Sequence, residues 1–251
     1  MTEIILKNKV SIEKMRHAGK LLASILEEVK GMVIPGQNTL TIDAFVEKRL
    51  IENGLKPSCK GYAGYRFATC ISLNDTIVHG IPSKEVILKS GDFVKIDVVG
   101  SYKGYCADIA RYFFVGEANA TASHLALIAQ QALDGAIVKI GPGIRLSDIS
   151  HFIQRHVESA GFSVIRDFAG HGIGKAMHEA PQIPNYGAPG HGPELREGMT
   201  LAIEPMIAEK NYQLRIMSDG WTARTLDGGL AAHVEDTVVV TKNGAEVLTR
   251  L

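Results

Sequence analysis

PGQNTLTIDAFVEKRLIENGL, residues 35–55, and PGIRLSDISHFIQRHVESAGF, residues 142–162, read as two copies of one unit. Shifted by 107 residues (142 − 35), Pro35 falls on Pro142, Gly36 on Gly143, Ile42 on Ile149, Phe45 on Phe152, Leu50 on Val157 and Gly54 on Gly161. Each copy predicts a Pro-Gly turn, a capping Thr or Ser, an amphipathic helix and a glycine stop. A longer helix is expected before each, over about residues 11–30 and 121–138, and strand-rich sequence follows each. Two amphipathic helices can match by chance, but equal spacing of start and stop signals favours an internal repeat. Its copies run over approximately 11–110 and 118–240 within a single domain spanning 1–251. Two similar halves leave a natural cleft between them.

The strand-rich stretches carry the chemistry. FVKIDVV (93–99), CADIARYFFV (106–115), DFAGHGIG (167–174), LAIEPMI (201–207) and HVEDTVVV (233–240) are short apolar segments. They hold Asp97, Asp108, His171, Glu204 and Glu235 in turn. An unpaired carboxylate in such a setting faces costly desolvation. One could be a satisfied polar residue; four beside an imidazole are better explained by divalent cations. Asp97 and Asp108 lie 11 apart (108 − 97) around SYKGY, which predicts a hairpin bringing both to one side. Glycines around His171 permit close backbone approach beside a ligand. Pro205 biases Glu204 toward an extended backbone. A structural zinc site would want cysteines; this oxygen-rich set suits two adjacent ions that activate water and polarise a carbonyl, a hydrolase design. His79 and His178 are candidates to donate to a developing oxyanion or a substrate amide.

Composition limits the alternatives. The 251 residues are 45% hydrophobic and 22% charged, enough for one large domain with a core. Lys+Arg and Asp+Glu are both 27, so no basic field for nucleic acid or anionic lipid exists. The first residues, MTEIILKNKVSIEKMRHAG, show no long apolar run and no small-residue cleavage site. The expectation is a cytoplasmic location with no membrane span. Cys59, Cys70 and Cys106 form no CxxC pair and are expected to be reduced thiols.

The chain resembles the bacterial form of type I methionine aminopeptidase over nearly its whole length. The resemblance rests on CISLNDTIVHGIP (70–82), KIDVV and ADIARYF, GHGIG with HEAPQIPNYG (178–187), LAIEPMI and HVEDTVVVT. It implies an α+β "pita-bread" (creatinase/aminopeptidase-like) fold, in which two pseudo-symmetric α/β halves form a curved antiparallel sheet with helices outside. The implied reaction is hydrolytic removal of the initiator methionine from nascent polypeptides when the second residue is small. The implied cofactors are two divalent ions per chain, Co, Mn, Fe or Zn. Their implied arrangement places Asp97 on one metal, His171 and Glu204 on the other, and Asp108 and Glu235 bridging. Glu204 takes the proton of the attacking water, while His79 and His178 line the scissile amide. The methionine pocket maps onto Cys59, Tyr62, Tyr65, Cys70 and Trp221, with Met177 closing it; sulfur and aromatic rings suit a thioether. The expected partner is a nascent polypeptide N-terminus met at or near the ribosome, and the expected state is a monomer.

Several positions depart from the family pattern. Met177 stands where an aromatic residue is common. Val99 and Ile109 replace the hydroxyl residues usual near the two aspartates, removing hydrogen bonds that such hydroxyls could make to the carboxylates. His233 and Asp236 flank Glu235 where glutamine and histidine are expected. His233 and Glu235 are two apart in a strand and share a face, which sets His233 toward the metal cleft as a partner for a ligand carboxylate or substrate that titrates near neutrality. Asp236 points the other way and is discounted as a ligand.

Other readings share parts of this pattern. A proline-specific aminopeptidase or dipeptidase of the same fold uses the same five ligands, but normally carries a large N-terminal domain. The type II methionine enzyme inserts a helical subdomain, and the 33 residues from His171 to Glu204 and 31 from Glu204 to Glu235 leave no room for one. A non-catalytic binding module of this fold typically loses ligands, whereas all five stand here.

Overall fold

The computed structural model describes residues 3–251. Among the described residues four α-helices form: α1 (Lys9–Val29), α2 (Thr39–Glu52), α3 (Ala120–Lys139) and α4 (Leu146–Ser159). Strands in the first half are β1 (Lys56–Pro57), β2 (Thr69–Leu73), β3 (Thr76–Val78), β4 (Phe93–Tyr102) and β5 (Tyr105–Phe114). The second half adds β6 (Ser163–Val164), β7 (Ala169–Gly172), β8 (Glu179–Pro184), β9 (Thr200–Ile203) and β10 (Met206–Ala208). It ends with β11 (Leu214–Ile216), β12 (Ala223–Thr225), β13 (Ala231–His233), β14 (Glu235–Thr241) and β15 (Gly244–Val247). Both α2 and α4 span 14 residues, and their first residues are 107 apart (146 − 39). Gly54 and Gly161, which follow them, both take positive φ, 73° and 85°, where a side chain would be strained.

The capping groups differ from the expected Thr or Ser. Asn38 Oδ1 accepts from Thr41 N at 2.8 Å to cap α2, and Asp148 Oδ2 accepts from Arg145 N at 3.0 Å at the start of α4. Thr39 and Ser147 instead tie these helices to distant loops, through Ser83 O and His191 N. The first turn of a helix offers several polar side chains, and the cap goes to the one whose oxygen reaches the free N–H groups.

One nine-stranded sheet runs β1-β4-β5-β14-β9-β7-β8, with β2 also on β4 and β15 also on β14. All its pairings are antiparallel. Lys103 and Gly104, at φ 47° and 79°, make the tight turn that joins β4 to β5, with Tyr102 opposite Tyr105. Alternation along each strand sorts the residues. Val94, Ile96 and Val98 of β4 and Ala107 and Ile109 of β5 pack beneath Leu22, Leu26, Ile42, Val46 and Leu50 of α1 and α2. Leu201 and Ile203 of β9 and Val238 and Val240 of β14 pack beneath Leu125, Ala129, Leu133, Ile149 and Ile153 of α3 and α4. Each such fully buried Leu, Ile or Val contributes about 1.5–3 kcal/mol. Both helix pairs lie on the outer, convex face, which leaves the other face of the curved sheet for the cleft. Among the described residues no helix is long and apolar enough to cross a membrane.

Candidate active site

Strand register alone puts the five charged positions on one face. Asp97 pairs with Ala110, and Ala110 pairs with Glu235, so these three side chains project together. Asp108 is two residues from Ala110 and joins them. Thr237, two beyond Glu235, pairs with Ala202, which pairs in turn with His171, and Glu204 is two beyond Ala202. Asp236 pairs with Ile109 and faces away, as the alternation predicted. There it is fully buried against Arg111, Thr249 and Arg250. Ile109 is on that outer side too, packed under α1 and α2, so it cannot replace a hydroxyl beside the carboxylates. Val99 faces the cleft.

The glycines flanking His171 serve a purpose other than the expected one. A Cβ on Gly170 would stand 2.5 Å from Ala202 O, and one on Gly172 would stand 2.1 Å from Ala180 O. They let β7 press against its neighbouring strands rather than against a ligand. His171 Nδ1 donates to Gly172 O at 3.0 Å, which leaves Nε2 free to face Asp108 Oδ2 at 3.9 Å and Glu204 Oε1 at 3.4 Å. Glu204 Oε2 faces the other way, 3.6 Å from His233 Nε2, and Glu235 Oε2 is 3.7 Å from that same nitrogen.

The charges do not balance. Burial raises the pKa of Asp97 to about 6 and those of Asp108, Glu204 and Glu235 well above the usual carboxylate range, with mutual repulsion adding to three of the four. Burial also pushes His79, His171 and His233 down to about 4 and lowers His178. These imidazoles are therefore neutral at pH 7, and none of the four carboxylates pairs with Lys or Arg among the described residues. Titration of His233 near neutrality, expected from a cleft-facing imidazole, is overturned by its burial at 2% exposure. Asp108 Oδ1, Glu235 Oε1 and His233 Nε2 are buried and, among the described residues, have no hydrogen-bond partner. Such groups are rarely left unsatisfied. Donor atoms of Asp108, His171 and Glu235, and of Glu204, His233 and Glu235, lie within 4.8 Å of one another in each set. An acidic, mixed O/N donor set with orphaned atoms fits divalent cations.

The cleft, about 1280 Å³, brings together every residue the sequence nominated. Beside the carboxylates, Cys59, Tyr65 and Cys70 are buried, with Met177 and Trp221 packed on them. The Tyr65 and Trp221 rings meet edge-on at 5.0 Å. Tyr62 is not a buried wall: it is 46% exposed at the rim, and its hydroxyl contacts His178 Nδ1 at 3.0 Å. His178 in turn lies edge-on to His171 at 4.4 Å. His79 sits at φ 59°, an uncommon conformation for a residue with a side chain, between Phe168 and Trp221. Sequence reasoning missed three supports. Thr237 Oγ1 accepts from Asp108 N and donates to Asp108 O, both at 2.8 Å. Arg111 donates to Glu235 O at 2.6 Å, and Asn185 Nδ2 to Glu204 O at 3.0 Å. Only Thr237 carried a signal, its place two residues after Glu235 on the same face.

Residues 13–242 match the model of metallopeptidase family M24. A methionine aminopeptidase of Clostridium acetobutylicum is 44% identical over 246 residues, 98% of each chain. The crystal structure of methionine aminopeptidase from Thermotoga maritima superposes with a TM-score of 0.98 at 47% identity, covering 99% of this chain and 100% of that one. The prolidase of Pyrococcus furiosus superposes at 0.81 with 25% identity, and this chain covers 66% of it. The curved antiparallel sheet with outer helices is thus the pita-bread fold. The chain is a metal-dependent hydrolase that belongs to metallopeptidase family M24 and, within it, to the methionine aminopeptidases.

Proposed function

We propose that the protein removes the N-terminal methionine from newly made polypeptides whose second residue is small, by hydrolysis of the first peptide bond with two divalent ions. The observation that carries this reading is the juxtaposition, in one cleft, of two overlapping donor sets and a pocket walled by Cys59, Tyr65, Cys70, Met177 and Trp221. Asp97, Asp108, His171, Glu204 and Glu235 would hold the ions, with Mn, Fe, Co and Zn all compatible with the donors. When bound, the ions supply Lewis acidity toward the carbonyl and make water a better nucleophile at neutral pH. Glu204, its pKa raised by burial and its backbone held by Asn185, receives the proton of the attacking water. His79 and His178, both neutral, donate hydrogen bonds to the reacting amide and its developing oxyanion. Tyr62 orients His178 from the rim. The two related halves act as a single catalytic domain. Nascent chains place the work in the cytoplasm, where three buried free thiols remain reduced.

A panel of Met-Ala, Met-Gly, Leu-Ala and Ala-Pro peptides with added metal tests the reading. Cleavage is expected for the two methionyl peptides. Selective cleavage of Ala-Pro would establish the proline-specific alternative, and no cleavage of any would leave a binding module.

Specificity follows from the pocket. Met177 is flexible and adaptable where an aromatic ring would be rigid. Met177→Phe is expected to narrow acceptance toward methionine, raising the Met-to-norleucine ratio of kcat/KM by roughly 10-fold, since methylene-sized discrimination is worth about 1–3 kcal/mol. Unchanged ratios would show that position 177 does not line the bound side chain.

A further inference from the structure

His233 has no part in the five-ligand set, yet its surroundings are those of a ligand. It ends β13, whose pairing with β10 sets His233 opposite Met206, two residues past Glu204. Two chain crossings therefore run side by side, and each delivers a donor to the same point. His233 Nε2 stands 3.6 Å from Glu204 Oε2 and 3.7 Å from Glu235 Oε2. Those separations are too long for hydrogen bonds. The nitrogen is shielded from solvent and has no hydrogen-bond partner among the described residues. The separations are a few tenths of an ångström longer than the roughly 3.0–3.4 Å between donors held at about 2.1 Å by one cation at octahedral and tetrahedral angles, so a small inward shift of the side chains would seat an ion between the atoms.

Resting on the two-ion reading above, the geometry points to His233 Nε2 as a sixth metal ligand, completing one ion position with Glu204 and Glu235. His171 contributes to the other with Asp108 and Glu235. Glu204 turns one oxygen toward each imidazole, and Glu235 is common to both sets. Each ion then has one nitrogen donor, whereas the glutamine that the family resemblance expects at 233 offers an amide oxygen at best. Nitrogen donors favour Fe, Co, Ni and Zn over Mn. The second nitrogen shifts this chain's preference in that direction.

Cobalt(II) reports the difference directly. The full-length protein, stripped with a chelator and reloaded with cobalt(II) alone, is examined by proton NMR for strongly contact-shifted, solvent-exchangeable imidazole N–H resonances. Two are expected in the unaltered protein, from His171 and His233, and one in His233→Gln. Calorimetric titration of the variant is expected to show one of two cobalt steps weakened roughly tenfold or more, with a smaller change for manganese. A single shifted resonance in the unaltered protein overturns the assignment even if the variant does not fold. Two resonances retained in a folded His233→Gln, or both cobalt steps unchanged, overturn it as well. The peptide panel reads a different property. Two ligated imidazoles in a protein that spares Met-Ala would sink the substrate reading and leave this one standing; active protein with one ligated imidazole would do the reverse.

Discussion

Asp108→Asn is expected to lower kcat/KM on a Met-Ala peptide by about three powers of ten or more while making the stripped protein more stable. The two effects share one cause. Asp108 is buried beside Asp97 and Glu204, so its charge is relieved either by a proton or by a bound cation. An amide keeps the shape but cannot hold the ion, and the several kcal/mol that metal ions contribute to a hydrolytic transition state disappear with it. In the metal-free protein the same change removes a repulsive, desolvated carboxylate. The sign with pH is fixed by linkage. A carboxyl raised in the folded state favours folding at low pH, and that contribution is lost as pH rises through the folded value. The variant's stability advantage should therefore shrink toward pH 4, where the carboxyl is neutral in the folded state and about half ionised in the unfolded one, and grow as pH rises above it. Denaturant melts of both stripped proteins across pH 4–8 check this; a variant less stable than its parent at pH 7 would contradict it.

Metal loading should be the largest single change in stability available to the unaltered chain. An ion that binds only the folded state adds about 4 kcal/mol at a thousand times its Kd. For a domain of this size that is a rise on the order of 10 °C in Tm, reversed by a chelator. Because the raised carboxyls must lose their protons to bind, loading at pH 6 should also release protons, measurable as a buffer-dependent heat. A Tm indifferent to cobalt, manganese and zinc would remove the basis for every metal assignment made above.

Much of this site was legible before any coordinates. Period-2 alternation in FVKIDVV and HVEDTVVV places Asp97 and Glu235 opposite their apolar neighbours, and register carries that to the far strands. It separated Glu235 from Asp236 correctly, because facing is a property of the strand itself. What was lost depends on partners distant in sequence. The roles of Gly170 and Gly172 are set by carbonyls of Ala202 and Ala180, on two other strands. His233 faces the cleft as alternation requires, but its protonation follows from how deeply the surrounding chain encloses it. Asn38 rather than Thr39 caps α2 because Thr39 is occupied by Ser83, 44 residues away.

The junction of the two halves has a mechanical consequence. The hairpin of β4 and β5 is paired along its whole length, whereas β5 meets β14 only at Ala110–Glu235 and Ile109–Asp236. Asp108, Glu235 and Asp236 crowd that short seam. Thr237 and Arg111 stitch the backbone across it, and bound divalent ions would add ties through side chains contributed from both sides. A loaded protein would then be fastened at one of the shortest pairings of its sheet. Metal loading and the joining of the two halves would, at this seam, be coupled.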